Sequence, residues 1–351
     1  MADILAVQDS LAKKIADQLR LRLSPEDERR LVRHATDNPE AYRLILLSRF
    51  QTLSASPEGA ERGRQYAEQA VRLDPGYAPG WAVLAESYTI RAFLGFEPPE
   101  EGYARAREYA ERALALDDSL AAAHMALGFV EHHWDWNWEG ALAEFERAVA
   151  LDSTNSDALQ GLSQSYLSLG RVDEAVKYAK RAWESDPITP IVSSWLGVAY
   201  ADAGRYEEAL EAIRRAREME PNNILPALFE SSVLQWDGRD EEAIASLDET
   251  LEKFGLDAAR SPRRAMILAR AGRDREARAI LARIDEGSDA QAYVACAWGW
   301  LGEPDLAFDA LTRAIDRRDV RLWWIKTNSY FDPLRDDARF AAALRRMGLL
   351  E

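Results

Sequence analysis

The sequence predicts an all-α chain built from one helical hairpin used many times over. Gly170, Gly204, Gly238 and Gly272 recur at a constant step of 34 in the numbering, and so do Ala175, Ala209, Ala243 and Ala277. Pro187 and Pro221, Tyr166 and Tyr200, and Leu162 and Leu196 keep the same step. Inside one period, two apolar runs at helical spacing are separated by a glycine and closed by a proline, which is the punctuation of helix, turn, helix, stop.

Taken in chain order, the first element is a stripe of Ile4, Val7, Leu11, Ile15 and Leu19, with Lys13, Lys14, Asp17 and Arg20 off it. This predicts a helix that caps the stack, because the end of a repeat array exposes a core face. Ser24-Pro25-Glu26-Asp27 reads as a second helix start, with Ser24 as N-cap and Pro25 at the first helical position. Residues 1–37 are therefore expected to be N-terminal capping helices.

The period extends upstream once insertions are allowed. The distance from Pro75 to Pro187 is three periods plus ten. Nine of the ten fall in or just after Arg91–Glu101, around Phe96-Glu97-Pro98-Pro99, and one falls in Trp134-Asp135-Trp136-Asn137-Trp138.

The clearest hairpin runs from Ile191 to Pro221. Trp195, Leu196, Ala199 and Tyr200 share one face of a helix that stops at Gly204. Tyr206–Met219 is then amphipathic, with Ala209, Ile213 and Ala216 on its buried stripe, and Glu220-Pro221 ends it. One hairpin cannot bury both of its faces, so neighbours must stack. At the far end Asp336–Met347 carries Phe340, Leu344 and Met347 as a stripe and stops at Gly348, a helix expected to close the last repeat.

These residues resemble the tetratricopeptide repeat, whose pattern is Trp-x2-Leu-Gly-x2-Tyr, then Ala-x3-Phe, then Pro. Trp81, Leu84, Ala85 and Tyr88 match its first half. Ala175, Ala179, Ala182 and Pro187, and again Ala209, Ile213, Ala216 and Pro221, match its second. The resemblance implies a right-handed α-solenoid of about eight units in residues 38–319, starting near Asn38, Ala78, Ala121, Ser156, Pro190, Ile224, Ala258 and Ser288, with residues 320–351 as C-terminal cap. The opening Asp3-Ile4-Leu5-Ala6-Val7-Gln8-Asp9 and the closing Tyr330-Phe331-Asp332-Pro333-Leu334 stretch are also similar to the ends of the repeat region in multidomain bacterial signalling proteins. Class III nucleotide cyclases, Ser/Thr kinases and winged-helix regulators are among them.

Composition excludes several classes. The chain has 351 residues, 47% of them hydrophobic and 30% charged, which rules out disorder and collagen-like structure. Its formal charge of -16 disfavours nucleic acid as a partner. The exception is Arg260–Arg283, where Arg260, Arg263, Arg264, Arg270, Arg273, Arg275, Arg278 and Arg283 give a local +6. Without interleaved aromatics to stack bases, this reads as a solvated helical face. The longest stretch free of Asp, Glu, Lys and Arg is Pro187–Ala201. It is shorter than the roughly 18 apolar residues a membrane helix needs. No secretory leader is read at the N-terminus, and the lone Cys296 demands no oxidising compartment, so a cytoplasmic location is expected.

No enzyme chemistry is read. Glu131, His132, His133 and Asp135 invite a metal reading, but adjacent histidines point about 100° apart on a helix, so they are read as lining a groove or packing on tryptophans. Cys296, between two alanines, is read as a packing residue. No catalytic group, metal or cofactor is assigned.

The resemblance implies binding on the concave face lined by the first helix of each hairpin. Opposite the packed stripe, that face would present Met125, Phe129, His132, His133, Gln160, Gln164, Leu167, Val198, Asp202, Gln235, Trp236 and Trp300. The set is apolar, aromatic and amide, unlike the basic set that grips a terminal carboxylate. Trp134, Trp136 and Trp138 are either partner anchors or a cover over the seam between two helices, and Phe93 and Phe96 pose the same choice. The expected function is a non-enzymatic scaffold, a monomer or weak homodimer, that binds a partner protein's peptide or helix in the groove, in bacterial signalling. The alternative is a regulatory ligand-sensing module for an effector domain.

Overall fold

The computed structural model describes residues 36–52, 57–285, 287–288 and 290–350. The Ile4–Leu19 stripe and the Ser24-Pro25 helix start lie outside the described residues. Among these residues every regular element is a helix: α1 (Pro39–Thr52), α2 (Pro57–Leu73), α3 (Ala78–Leu94), α4 (Pro99–Leu116), α5 (Ala121–Val130), α6 (Trp138–Leu151), α7 (Ser156–Ser168), α8 (Val172–Ser185), α9 (Pro190–Asp202), α10 (Tyr206–Met219), α11 (Ile224–Trp236), α12 (Asp240–Lys253), α13 (Pro262–Arg270), α14 (Asp274–Leu281), α15 (Gln291–Trp300), α16 (Pro304–Asp316) and α17 (Ala338–Arg346). The described residues form two compact units, one ending at Leu127 and the other beginning at Gly128.

In the first unit α1 pairs with α2 and α3 with α4. Small residues let these helices approach: Ala82, Ala113 and Ala123 form one buried cluster, and Ala85, Ala110, Ala126 and Leu127 another. A Cβ placed on Gly102 would sit 2.7 Å from the Cβ of Ala92, so that contact requires glycine. The surplus residues around Arg91–Glu101 lengthen both helices, to 17 and 18 residues in α3 and α4 against 13 and 14 in α9 and α10.

The second unit stacks the hairpins α7/α8, α9/α10, α11/α12, α13/α14 and α15/α16. The periodic glycines make the turns. Gly170, Gly204, Gly238 and Gly272 hold φ of 77°, 72°, 79° and 73°, a left-handed conformation that costs other residues about 1 kcal/mol. The next backbone N–H, from Arg171, Arg205, Arg239 and Arg273, donates to the carbonyl five residues back at 2.8–2.9 Å, closing each first helix. Each of these arginines also pairs with the glutamate three residues on, Glu174, Glu208, Glu242 or Glu276. These pairs are exposed and stabilise little.

The one surplus residue near Trp134 is accommodated by a change of helix type. After α5 the chain makes a π turn over Glu131–Asp135, then Trp136 takes a left-handed backbone at φ 58° and Asn137 caps α6. A π turn holds one residue more than an α turn, so a single insertion is absorbed without shifting the helices that follow.

Candidate functional site

The first helices α7, α9, α11, α13 and α15 form the inner row of the second unit, and that row is not open. After α16 the chain turns at Arg318 and runs back along it as two 3-10 segments, Val320–Trp324 and Ser329–Leu334, before α17. These segments contact α7, the π turn and α15. Residues 320–334, expected to belong to a cap on the last repeat, instead fill the face expected to take a partner. α17 packs on α16, with Phe340 and Met347 buried.

Aromatic side chains carry the contact. Trp323 is 2% exposed and lies against His132 (5.4 Å between ring centroids), Trp195 (6.0 Å) and Trp324 (5.2 Å). Trp324 meets Trp236 edge-on at 5.4 Å, and Tyr330 meets the same Trp236 at 5.5 Å. The Trp300 indole donates to the Tyr330 carbonyl at 3.0 Å. Gly299 admits Leu334, whose side chain would be 3.0 Å from a Cβ there. The rings bring large apolar area with few rotatable bonds, which suits a tight contact.

The expected groove residues are accordingly covered. His132, His133, Gln160, Gln164, Leu167, Val198 and Gln235 are buried, and Phe129, Asp202, Trp236 and Trp300 are half-buried. Met125 is buried in the first unit. The expectation that these positions form a free surface is corrected for the second unit: the chain's own tail occupies the inner row. Phe93 and Phe96, in the first unit, are half-buried beside the Arg91–Glu97 ion pair.

The tryptophan cluster also serves the chain itself. Trp136 and Trp138 are buried. The Trp138 indole donates to the Met347 carbonyl at 2.7 Å, and the Arg318 guanidinium donates to the Trp134 carbonyl and lies 4.9 Å from the centre of the Trp136 ring. Trp134 and Trp136 hold the entry of the returning segment through Arg318, and Trp138 holds the end of α17.

Buried polar groups line the contact. His132 Nε2 bonds to Ser168 Oγ at 3.0 Å, and His133 stacks on Phe129 at 5.5 Å. Burial holds both imidazoles neutral, His133 down to about 4 and His132 well below the usual range, with His133 adding to the effect on His132. Asp202 faces Trp324 and Thr327, and burial pushes its carboxyl up to about 7. Gln235 donates to the Ile267 carbonyl at 2.8 Å. Gln160 Oε1, Gln235 Oε1 and the Trp236 indole N–H have no hydrogen-bonding partner within the chain, and Asp202 Oδ2 is sealed from solvent beside the uncharged Trp324 and Thr327.

Sequence reasoning did not assign Trp195, Tyr330, Arg263 and Arg270 to this site, and passed over Trp323, Trp324, Thr327 and Arg318. One signal was present: Ser168, Asp202, Trp236 and Arg270 are spaced by the repeat period and so occupy one position of four successive first helices. The arginine-rich stretch is largely spent on intramolecular contacts. Arg264 pairs with Asp248, Arg273 with Glu276, Arg278 with Glu303, and Arg263 donates to Ser232 and Tyr293. Cys296 is buried among α15 packing residues, and burial pushes its thiol up. Among the described residues no cluster of three or more His, Cys, Asp or Glu could hold a metal, and no helix is long and apolar enough to cross a membrane.

The tetratricopeptide repeat family matches over residues 136–187 and 161–224. A Rhizobium meliloti protein named as an adenylate cyclase is 32% identical over 85 residues, which is 24% of this chain and only 14% of that protein's length. A tetratricopeptide repeat protein from Parabacteroides merdae is similar in structure over 69% of this chain and 98% of its own, at 14% identity and TM-score 0.49. A thermophilic TPR protein of Thermus thermophilus is similar over 56% and 99%, at 19% identity and TM-score 0.45. The described part of the chain is an all-α stack of helical hairpins, of which residues 136–224 match the tetratricopeptide repeat.

Proposed function

We propose that this chain is a non-enzymatic protein-interaction scaffold whose second unit binds an extended, aromatic-rich peptide along α7, α9, α11, α13 and α15. The observation that carries the reading is the returning segment: a peptide stretch already sits on that row, anchored by Trp323, Trp324 and Tyr330. Its side chains state what the row accepts, and a partner segment of like chemistry would compete with it. Because the tail is tethered, it competes at an effective concentration of order mM, so a partner must bind better than the tail does. The similarity to a protein named as an adenylate cyclase, and the resemblance of both chain ends to signalling proteins, support a place in cytoplasmic bacterial signalling.

The test is capture of a labelled synthetic peptide spanning residues 318–337, followed by anisotropy. We expect saturable binding to the full chain carrying Trp323→Ala and Trp324→Ala, which loosens the tail, and at least roughly tenfold weaker binding to the natural chain. A further Trp236→Ala should abolish capture while the chain stays helical. No binding to the loosened, folded chain would refute the reading.

A further inference from the structure

The repeated position Ser168, Asp202, Trp236, Arg270 runs along the row that the tail covers, and its members are unequally served. Ser168 Oγ donates to the Gln164 carbonyl at 3.1 Å and bonds to His132. The Trp236 indole N–H and Arg270 Nη1 are sealed from solvent with no hydrogen-bonding partner in the chain, and Asp202 Oδ2 is sealed from solvent among uncharged neighbours. For Asp202 the mismatch is chemical: the tail offers it Thr327 and Trp324, neither of them charged. The neighbouring Lys326 is directed elsewhere, along Gly170 and toward the Leu349 carbonyl at 3.4 Å. A carboxylate buried without a cation is expensive, and the same carboxylate with a hydrogen-bonded cation is not. The tail's entry carries a second cost. Trp136 and Arg318, at φ 58° and 51°, are the two described non-glycine residues with left-handed backbone, and they meet each other where the tail turns in. The tail thus matches the row in its aromatic rings and fails it in charge.

We propose that Asp202 is the receptor for a cationic side chain, lysine or arginine, on the peptide segment that exchanges with the chain's own tail. This rests on the peptide-binding reading above and names the feature by which a partner outcompetes the tail. A segment with aromatic rings at the Trp323, Trp324 and Tyr330 positions and a cation at the Thr327 position keeps every apolar contact and supplies the missing charge. The buried Asp202 carboxylate then faces a cation instead of uncharged side chains alone.

Two peptides spanning residues 318–337, one with the natural sequence and one with Thr327→Lys, are compared at pH 8 on the full chain carrying Trp323→Ala and Trp324→Ala. The lysine peptide is expected to bind roughly tenfold or more tightly than the natural one, the scale of a charge-assisted hydrogen bond. With Asp202→Asn added to the chain the advantage should fall below about twofold, within the scatter expected once the charge pair is gone. Equal affinities, or an advantage that survives Asp202→Asn, would overturn the proposal. If the natural peptide is not captured at all, the peptide-binding reading falls, and the charge assignment is decided within the chain. There, Thr327→Lys should raise the melting temperature at pH 8 and should fail to do so beside Asp202→Asn. No rise, or the same rise in both backgrounds, would overturn it.

Discussion

Asp202→Asn should stabilise the protein increasingly as the pH rises, and the pH at which the gain appears is set by the structure. Burial under Trp324 and Thr327 raises the Asp202 carboxyl from an ordinary 3.8 to about 7, and the two side chains bearing on it are uncharged. Below pH 3.8 the group is protonated in the folded and the unfolded chain, and burial carries no ionisation cost. Between 3.8 and about 7 the unfolded chain releases the proton while the folded chain keeps it, so stability is lost progressively. Above about 7 the loss is constant, and at 1.36 kcal/mol per pK unit it amounts to about 4 kcal/mol. Asparagine cannot ionise and escapes this cost, although any change in its hydrogen bonding adds an offset that does not vary with pH. Urea unfolding of both proteins at pH 4, 5.5, 7 and 8.5 gives the difference directly, and groups common to both cancel. The difference should grow from pH 4 to 7 and then level, a range of about 4 kcal/mol. A difference that stays flat, or that shrinks as pH rises, would refute the account of Asp202 as a buried carboxyl without a cation.

The histidines act in the opposite window. His132 and His133 face each other at 4.8 Å, with Ser168, Phe129, Gln164, Trp138 and Trp323 around them and no carboxylate among these, so both remain neutral when folded. As pH falls from 6.5 toward 4 the unfolded chain gains protons that the folded chain refuses, and stability drops. His133→Gln should remove about 3 kcal/mol of that acid-side loss, read from the same urea series. Gly161→Ala tests packing: its Cβ would lie 2.3 Å from the Phe145 ring, which is fully buried and cannot move aside. The clash should outweigh alanine's helical advantage of about 1 kcal/mol, for a net loss of about 1–3 kcal/mol and a lower melting temperature. An unchanged melting temperature would mean that the α6–α7 contact is looser than described.

The hairpins were legible in the sequence because everything that makes one lies within a single period. Gly204 takes the left-handed turn, Pro221 stops the second helix, and Ala209, Ile213 and Ala216 make the stripe that packs back on the first. Such determinants are local, and repetition shows them again and again. The single surplus residue at Trp134–Trp138 was legible for the same reason, although its form, a π turn, was not. The groove positions were legible as a list, since residues opposite a packed stripe can be counted. Their condition was not: Gln164 and Asp202 look like surface polar residues until something is laid over them.

What the sequence by itself determined is the register: helices, turns and the small residues that let neighbours stack. What only the tertiary structure decided is where the last thirty or so residues go. Trp323 and Trp324 have no counterpart one period away, so nothing repeats to reveal their destination. Their partners, His132, Trp195 and Trp236, are spread over four repeats and meet only when the stack has formed. Contacts at such separation depend on the summed geometry of all the hairpins between them, which no local pattern encodes.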